Sequence, residues 1–388
     1  MKTHLFLIAL LLLVVSSCNE TIVDPKEPID EDTTYPDCPN YDYEKYYDPV
    51  YDELFSVSHD GKFAVIRKHF DGKSVVTIAS RFLLNLQTGE YILVGGNENG
   101  KLGATGSAIE FDTLQFPEYD RMLVFGRFSF CPYNSNIINI VARCDIDTIG
   151  DKKNLYSFYN YFTYNIQTME MEKITPSIFG KWGIRHQTGI QLVCQWLSTS
   201  SEGNDKFLII HPNKITYIYH LQEDRLEETN SIKDLTNTII SGDGQYRFYK
   251  SGNGNWKEPY LFYLNDKEVF LEDSLLIKAV GNGSFSKDNK YLAVGVTANN
   301  GEYGTPTYVY RNSEIWLMEV DKLMASTGEF TEIRKIKPRT TECHYFTSGC
   351  FFTPQNTLIV GLHPYNNSQA NIYEMDLNGN ILRKITNN

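Results

Sequence analysis

The chain has 388 residues, of which 13% are aromatic, and 48 acidic against 36 basic residues give it a formal net charge of −12. That balance argues against nucleic acid or anionic lipid as partners, because both require clustered Lys and Arg. The 26 Tyr and 22 Phe favour strands, as do the many Val, Ile and Thr, and no long amphipathic helical period follows residue 18.

Lys2 and His4 form a short polar start, and Leu5 to Val15 is an unbroken apolar run. A membrane-spanning helix needs about 20 such residues; this length suits the apolar region of a signal peptide. The run ends in Val15-Ser16-Ser17-Cys18, which resembles the lipobox of bacterial lipoproteins: an aliphatic residue, two small residues and a cysteine. The resemblance implies a signal peptide over 1–17 and acylation of the Cys18 thiol, and two acyl chains suffice for stable anchoring. Residues 18–50 carry Asp24, Glu27, Asp30, Glu31 and Asp32 with Pro25, Pro28, Pro36 and Pro39. They cannot bury enough surface to fold alone and read as an acidic flexible tether. Asn19 stands where an Asp would resemble an inner-membrane retention signal. The expected location is therefore the cell envelope, lipid-anchored in the outer membrane of a Gram-negative bacterium, with its face undecided.

Two half-motifs alternate through the rest of the chain. The first is a small turn followed by an apolar strand: SHDGKFAVI from Ser58, FPEYDRMLVFG from Phe116, SEGNDKFLII from Ser201, SGDGQYRFY from Ser241, SKDNKYLAVG from Ser286 and TPQNTLIVG from Thr353. The second is strand, turn, strand: FLLNLQTGEYILV from Phe82, FTYNIQTMEMEKIT from Phe162, TYIYHLQEDRLEET from Thr216, YLFYLNDKEVFLED from Tyr260 and NIYEMDLNGNILRKIT from Asn371. A stretched copy begins at Ile315. Asp-Gly, Asp-Asn and Gln-Asn pairs tolerate the left-handed backbone that tight turns require. Each pair of half-motifs makes a four-stranded unit that buries its faces only against neighbours. The expected fold is all-β: a six-bladed β-propeller of four-stranded antiparallel blades over 51–388, closed without borrowing a strand from the other terminus. The long gap between the Phe116 and Ser201 turns leaves seven blades as the alternative. The pattern resembles TolB-like propeller repeats, although the Pro of their usual Ser-Pro-Asp-Gly turn is mostly replaced here.

Strands that alternate in direction put the tight turns on one face and the long connections on the other. The long connections are read as 127–160, 249–259, 295–314 and 363–370, and as 96–108, 176–189 and 338–349. Loops on a rigid scaffold are where binding concentrates. Those loops hold Tyr133, Trp182, His186, Trp256, Tyr303, His344, Tyr345, His363 and Tyr365 as candidate binding residues, whose rings suit a sugar face or a protein partner. Cys343 with Cys350, and Cys131 with Cys144, are close enough in sequence to form disulfides in an exported protein.

Other motifs fail on chemistry. GGNENGKL from Gly95 lacks the Ser or Thr after Lys that a phosphate loop needs, having Leu102 there. DIDTIGD from Asp145 lacks the third ligand and closing Glu of a calcium loop. No metal or cofactor is expected. The expected function is a non-catalytic binding or scaffolding module for a protein or glycan. The alternative is a lyase-like propeller enzyme acting on polysaccharide fragments, with a funnel metal on His186-Gln187, His344 and His363.

Overall fold

In the computed structural model, the described residues are 50–69, 79–95, 109–111, 115–131, 134–149, 152–185, 194–198, 206–210, 216–229, 238–251, 261–265, 267–272, 277–298, 313–339, 344–364 and 369–386. They form a six-bladed β-propeller. Blade 1 comprises β1 (Val50–Val57), β2 (Phe63–His69), β3 (Ala79–Asn85) and β4 (Tyr91–Gly95). Blade 2 comprises β5 (Ile109–Phe111), β6 (Arg121–Cys131), β7 (Asn134–Ile149), β8 (Lys152–Asn165), β9 (Met171–Lys173) and β10 (Ile184–Arg185). Blade 3 is β11 (Cys194–Ser198), β12 (Lys206–Ile210), β13 (Thr216–His220) and β14 (Arg225–Thr229). Blade 4 is β15 (Ile239–Ile240), β16 (Arg247–Ser251), β17 (Leu261–Leu264) and β18 (Lys267–Leu271). Blade 5 is β19 (Ile277–Phe285), β20 (Tyr291–Ala298), β21 (Ser313–Glu319) and β23 (Arg334–Ile336); helix α1 (Val320–Ala325) and β22 (Glu329–Phe330) lie between its last two strands. Blade 6 is β24 (His344–Phe352), β25 (Leu358–Pro364), β26 (Gln369–Met375) and β27 (Ile381–Lys384).

The repeat works through its turns. Ser58 Oγ donates to Asp60 Oδ1 at 2.7 Å and accepts the Phe63 N–H at 2.9 Å. Ser241 repeats this with Asp243 and Tyr246 (2.7 and 2.9 Å), and Ser286 with Asp288 and Tyr291 (2.6 and 2.9 Å). Thr353 replaces the acid with Thr357, their hydroxyls 2.7 Å apart. Each hydroxyl is buried, so it satisfies backbone groups that the reversal would otherwise leave unpaired. The second turn depends on Asn instead. Asn85 Oδ1 accepts the N–H groups of Gln87 and Thr88, and Asn165 Oδ1 those of Gln167 and Thr168.

Both faces of the inner strands are buried, which explains their unbroken apolar runs. In β2, Ala64 and Ile66 pack toward blade 6 with Ile359 and Ile372, while Val65 packs toward blade 2 with Ile138 and Ile140. In β20, Leu292, Val294 and Val296 face blade 4, and Tyr291 and Ala293 face blade 6. Each of the Val, Leu and Ile side chains contributes about 1.5–3 kcal/mol by burial. Cores fill the seams between blades 1 and 2, 2 and 3, 4 and 5, 5 and 6, and 6 and 1.

Blade 6 uses its own four strands, as expected. In addition, the start of β1 pairs parallel with β26 through Val50↔Gln369 and Tyr51↔Ala370. The stretched unit also ties neighbours together. β22 leaves blade 5 to pair parallel with β18, placing Phe330 in the blade 4–5 core. Lys267 of blade 4 donates to the carbonyls of Met324 and Ser326 at the end of α1.

Blade 2 departs from the sequence reading. Phe116–Asp120 is not its first tight turn. The β6–β7 ladder closes at Cys131↔Asn134, and the Asp60 N–H donates to Ser135 Oγ at 3.1 Å, which sets that junction beside the first turn of blade 1. FPEYD lacks the Ser that nucleates the other turns; instead Phe116 packs edge-on against Phe162, ring centroids 5.0 Å apart, in the blade 1–2 seam. Most of the expected 127–160 loop is consequently strand.

Candidate functional site

The tight turns meet around the ring axis. A Cβ at Gly61 would lie 2.6 Å from Pro354 Cδ, joining blade 1 to blade 6, and Asn289 Nδ2 donates to Asp243 Oδ2 between blades 5 and 4. One contact crosses the ring: a Cβ at Gly242, in blade 4, would lie 3.2 Å from His59 Cε1, in blade 1. Blades 1 and 4 are opposite each other in a six-bladed ring, so this contact narrows the axis at the tight-turn face.

Burial lowers the His59 pKa, Lys287 lowers it further, and Asp60 opposes them. The folded state therefore prefers neutral imidazole. Its contribution to stability is complete above about 6.5, the ordinary His value, and is lost as pH falls through the lower folded value. His59→Gln is expected to reduce the drop in thermal midpoint between pH 7 and pH 5. An unchanged pH profile would show that this ring does not carry the effect.

Toward the long-connection face, β7 and β8 run on past the ring as a hairpin paired out to Ile149↔Lys152. Its charges are satisfied internally. Asp145, 1% exposed, accepts a hydrogen bond from Arg143 Nη2 at 3.0 Å on Oδ2, and Arg143 Nε lies 3.0 Å from Oδ1 as an ion pair. Arg121 Nη2 approaches Oδ2 at 3.4 Å, and Ser157 Oγ donates to Oδ1 at 2.6 Å. The first Asp of DIDTIGD is thus the centre of an ion-paired strand cluster and not a calcium ligand. Its signal in the sequence was the Arg143-x-Asp145 alternation, which puts both groups on one face of a strand.

Several candidate residues lie outside the described residues: Tyr133, His186, Trp256, Tyr303, Tyr365 and Cys343. His344, Tyr345 and His363 fall within strands, where loops were expected. Tyr345 pairs with His363, and His344 with Pro364, at the long-connection end of blade 6. Val50 and Tyr51 pair with the neighbouring β26, so the chain joins the ring beside this group.

Trp182 packs instead of presenting a free ring. It lies half-buried in the blade 1–2 seam, edge-on to Tyr119 at 6.5 Å, with Lys181 Nζ 4.5 Å from its ring centroid. Below it is a polar knot that sequence reasoning missed. Lys173 Nζ donates to Tyr119 Oη and to the Lys181 carbonyl, both at 2.8 Å. Asn160 donates to the Trp182 carbonyl at 2.9 Å and accepts from Thr175 at 3.0 Å. Gly183 is required here: its φ is +98°, and a Cβ would fall 2.2 Å from Asn160 Oδ1. Burial lowers the Lys173 pKa and pushes the Cys144 thiol up to about 12. A neutral buried thiol is a poor nucleophile, so the knot fastens the Phe116–Tyr119 segment to the blade.

The cysteine pairing is corrected. Cys144 and Cys350 are buried free thiols, and Cys131 is buried as well. Cys131 belongs to the blade 2–3 core and Cys144 to the blade 1–2 core. The body of the blade separates them, so closeness in sequence does not bring the sulfurs together.

No family model and no curated protein matches the chain. Among solved structures, it is similar to TolB from Acinetobacter baumannii, with 15% identity over 78% of this chain and 74% of that one, TM-score 0.38. It is also similar to an oligogalacturonate lyase in complex with manganese, with 11% identity over 82% and 88%, TM-score 0.41. A puromycin-hydrolyzing peptidase of Mycobacterium tuberculosis gives 8% identity over 90% of this chain but 55% of that one, TM-score 0.47. At these identities and scores, the blade assignment rests on the chain's own sheets.

Proposed function

We propose that the protein is a lipoprotein anchored in the outer membrane through Cys18, whose propeller serves as a non-catalytic binding or scaffolding module for a protein or a glycan. The observation that carries this reading is the asymmetry of the ring. His59 opposite Gly242 narrows one end of the axis, and the β7–β8 hairpin extends at the other. Among the described residues, turns of blades 1 and 2, 1 and 6, 4 and 5, and 1 and 4 touch on the tight-turn face, so the opposite face is presented on a braced support, where binding groups hold their geometry at low entropic cost. The lipobox-like Val15-Ser16-Ser17-Cys18 supports the anchor.

The test uses full-length protein extracted in detergent, with cross-linked envelope proteins and a glycan array as probes. A saturable partner is expected whose affinity falls at least about tenfold in a His344→Ala/Tyr345→Ala/His363→Ala variant, the loss typical of two or three truncated contacts at a binding centre. Lys287→Ala, on the other face, should leave that affinity unchanged. Stoichiometric manganese, calcium or zinc in the purified protein would instead favour metal-dependent action on polysaccharide fragments and overturn the non-catalytic reading.

A further inference from the structure

A second group of residues lies on the tight-turn side of the seam between blades 5 and 6, away from the long-connection face. Tyr291, at the start of β20, is 4% exposed, yet its buried hydroxyl has no hydrogen-bond partner among the described residues. The buried Nε of Arg339 also has none. Arg339 is fixed by its backbone: its N–H donates to the Gly379 carbonyl at 2.7 Å, and it bridges to Asn380 in the last turn of blade 6. Arg334, at the start of β23, donates from Nη2 to Asn378 Oδ1 of the same turn. Two guanidinium groups and a phenol are therefore positioned by three separate elements.

The nearby acids are already hydrogen-bonded or ion-paired, although Asp376 also bears on Arg334. Asp376 Oδ1 accepts the N–H groups of Asn378 and Asn380, both at 2.8 Å, and its Oδ2 accepts Asn380 Nδ2 at 2.7 Å. Glu319, opposite Tyr291 in the ladder, lies 3.4 Å from Lys322 Nζ. Lys290 Nζ adds further positive charge, 5.1 Å from the Tyr291 ring centroid. Burial lowers the Arg334 pKa, Asp376 and Tyr291 oppose that, and Arg339 adds to it. Tyr291 and Arg339 thus both act on the Arg334 charge. A buried donor without an acceptor costs about 1–3 kcal/mol, and two such donors beside a second guanidinium match a negatively charged group that only accepts.

We propose that Arg334, Arg339 and the Tyr291 hydroxyl form an oxyanion-binding site for a carboxylate, sulfate or phosphate group. Planar guanidinium forks suit all three. The site is independent of the anchor and of the long-connection face.

Calorimetric titration of the full-length protein in detergent tests it, with sodium sulfate, sodium phosphate and sodium acetate as separate probes and chloride holding the ionic strength constant. Saturable binding of at least one probe is expected. Preference for sulfate or phosphate over acetate assigns a tetrahedral ligand, and the reverse assigns a carboxylate. Tyr291→Phe and Arg339→Gln should each weaken binding at least about tenfold, the loss of one hydrogen bond to a charged group. Without added anion, Tyr291→Phe should keep the wild-type thermal midpoint, which shows that the variant is folded. No saturable binding of any probe overturns the site, as does binding that either substitution leaves unchanged.

Discussion

Cys18→Ala is expected to move the protein from the membrane fraction to the soluble fraction almost completely, as a folded ring. Each buried methylene of an acyl chain contributes about 0.8 kcal/mol to membrane affinity, so removing two chains abolishes stable anchoring. The ring itself should not notice. Its blade 6–1 core begins at Leu54, and among the described residues upstream of that, Val50 and Tyr51 pair with β26 and Asp52 and Glu53 pair with β2. Fractionation with labelled palmitate measures the anchor, and the thermal midpoint of the released protein measures the fold. A variant that stays on membranes would overturn the anchor; one that unfolds would show that the tether belongs to the folded unit.

The tether also acquires a direction. β1 starts at the long-connection face, beside β26. A short tether would hold that face against the membrane. If residues 18–50 form the proposed tether, a chain of that length would have a root-mean-square reach of roughly 30 Å, and more when extended, enough for the ring to turn that face toward a partner.

Asp145→Ala should be among the most destabilising single substitutions in the protein, at about 3 kcal/mol. Removing the carboxylate takes the ion-pair and hydrogen-bond acceptor from the buried Arg143, the counter-charge from Arg121 and the acceptor from Ser157 Oγ. Breaking a buried pair from one side costs roughly 3–5 kcal/mol, and the partial exposure of Arg121 puts this case at the lower end. Urea unfolding measures the loss. A companion variant, Arg121→Met/Arg143→Met/Asp145→Met, should recover most of it, because apolar groups of similar volume need no counter-charge. A cost below about 1 kcal/mol for Asp145→Ala would show that water reaches the cluster and screens it.

The turns were the most legible part of the sequence, because their chemistry is local. Ser58, Asp60 and Gly61 serve one reversal within a few residues, and so do Asn85 and Gly89. Blade 2 was misread for the converse reason. Phe116–Asp120 has the spacing of a turn followed by a strand, but nothing local shows that Phe116 will pack on Phe162 from a distant strand. His344, Tyr345 and His363 were read as loop residues because polar and aromatic residues near Pro364 interrupt the apolar pattern, yet the β24–β25 ladder continues through them. Cys131 and Cys144 looked paired because sequence distance carries no information about which seam a side chain enters.

By itself, the amino-acid sequence determined most of the strand and turn pattern, narrowed the repeats to six or seven, and carried the lipobox-like end. All of these depend on groups a few residues apart, whose hydrogen bonds and alternation are already written in the chain. Only the tertiary structure decided which turns touch across the axis, which face each cysteine enters, and which charges share a carboxylate. His59 meets Gly242 and Arg339 meets the turn at Gly379 because closing the ring sets the distances between blades, while Arg121 meets Asp145 through the register of two neighbouring strands of blade 2. Those distances are a property of how blades pack against their neighbours, and no stretch of sequence contains them.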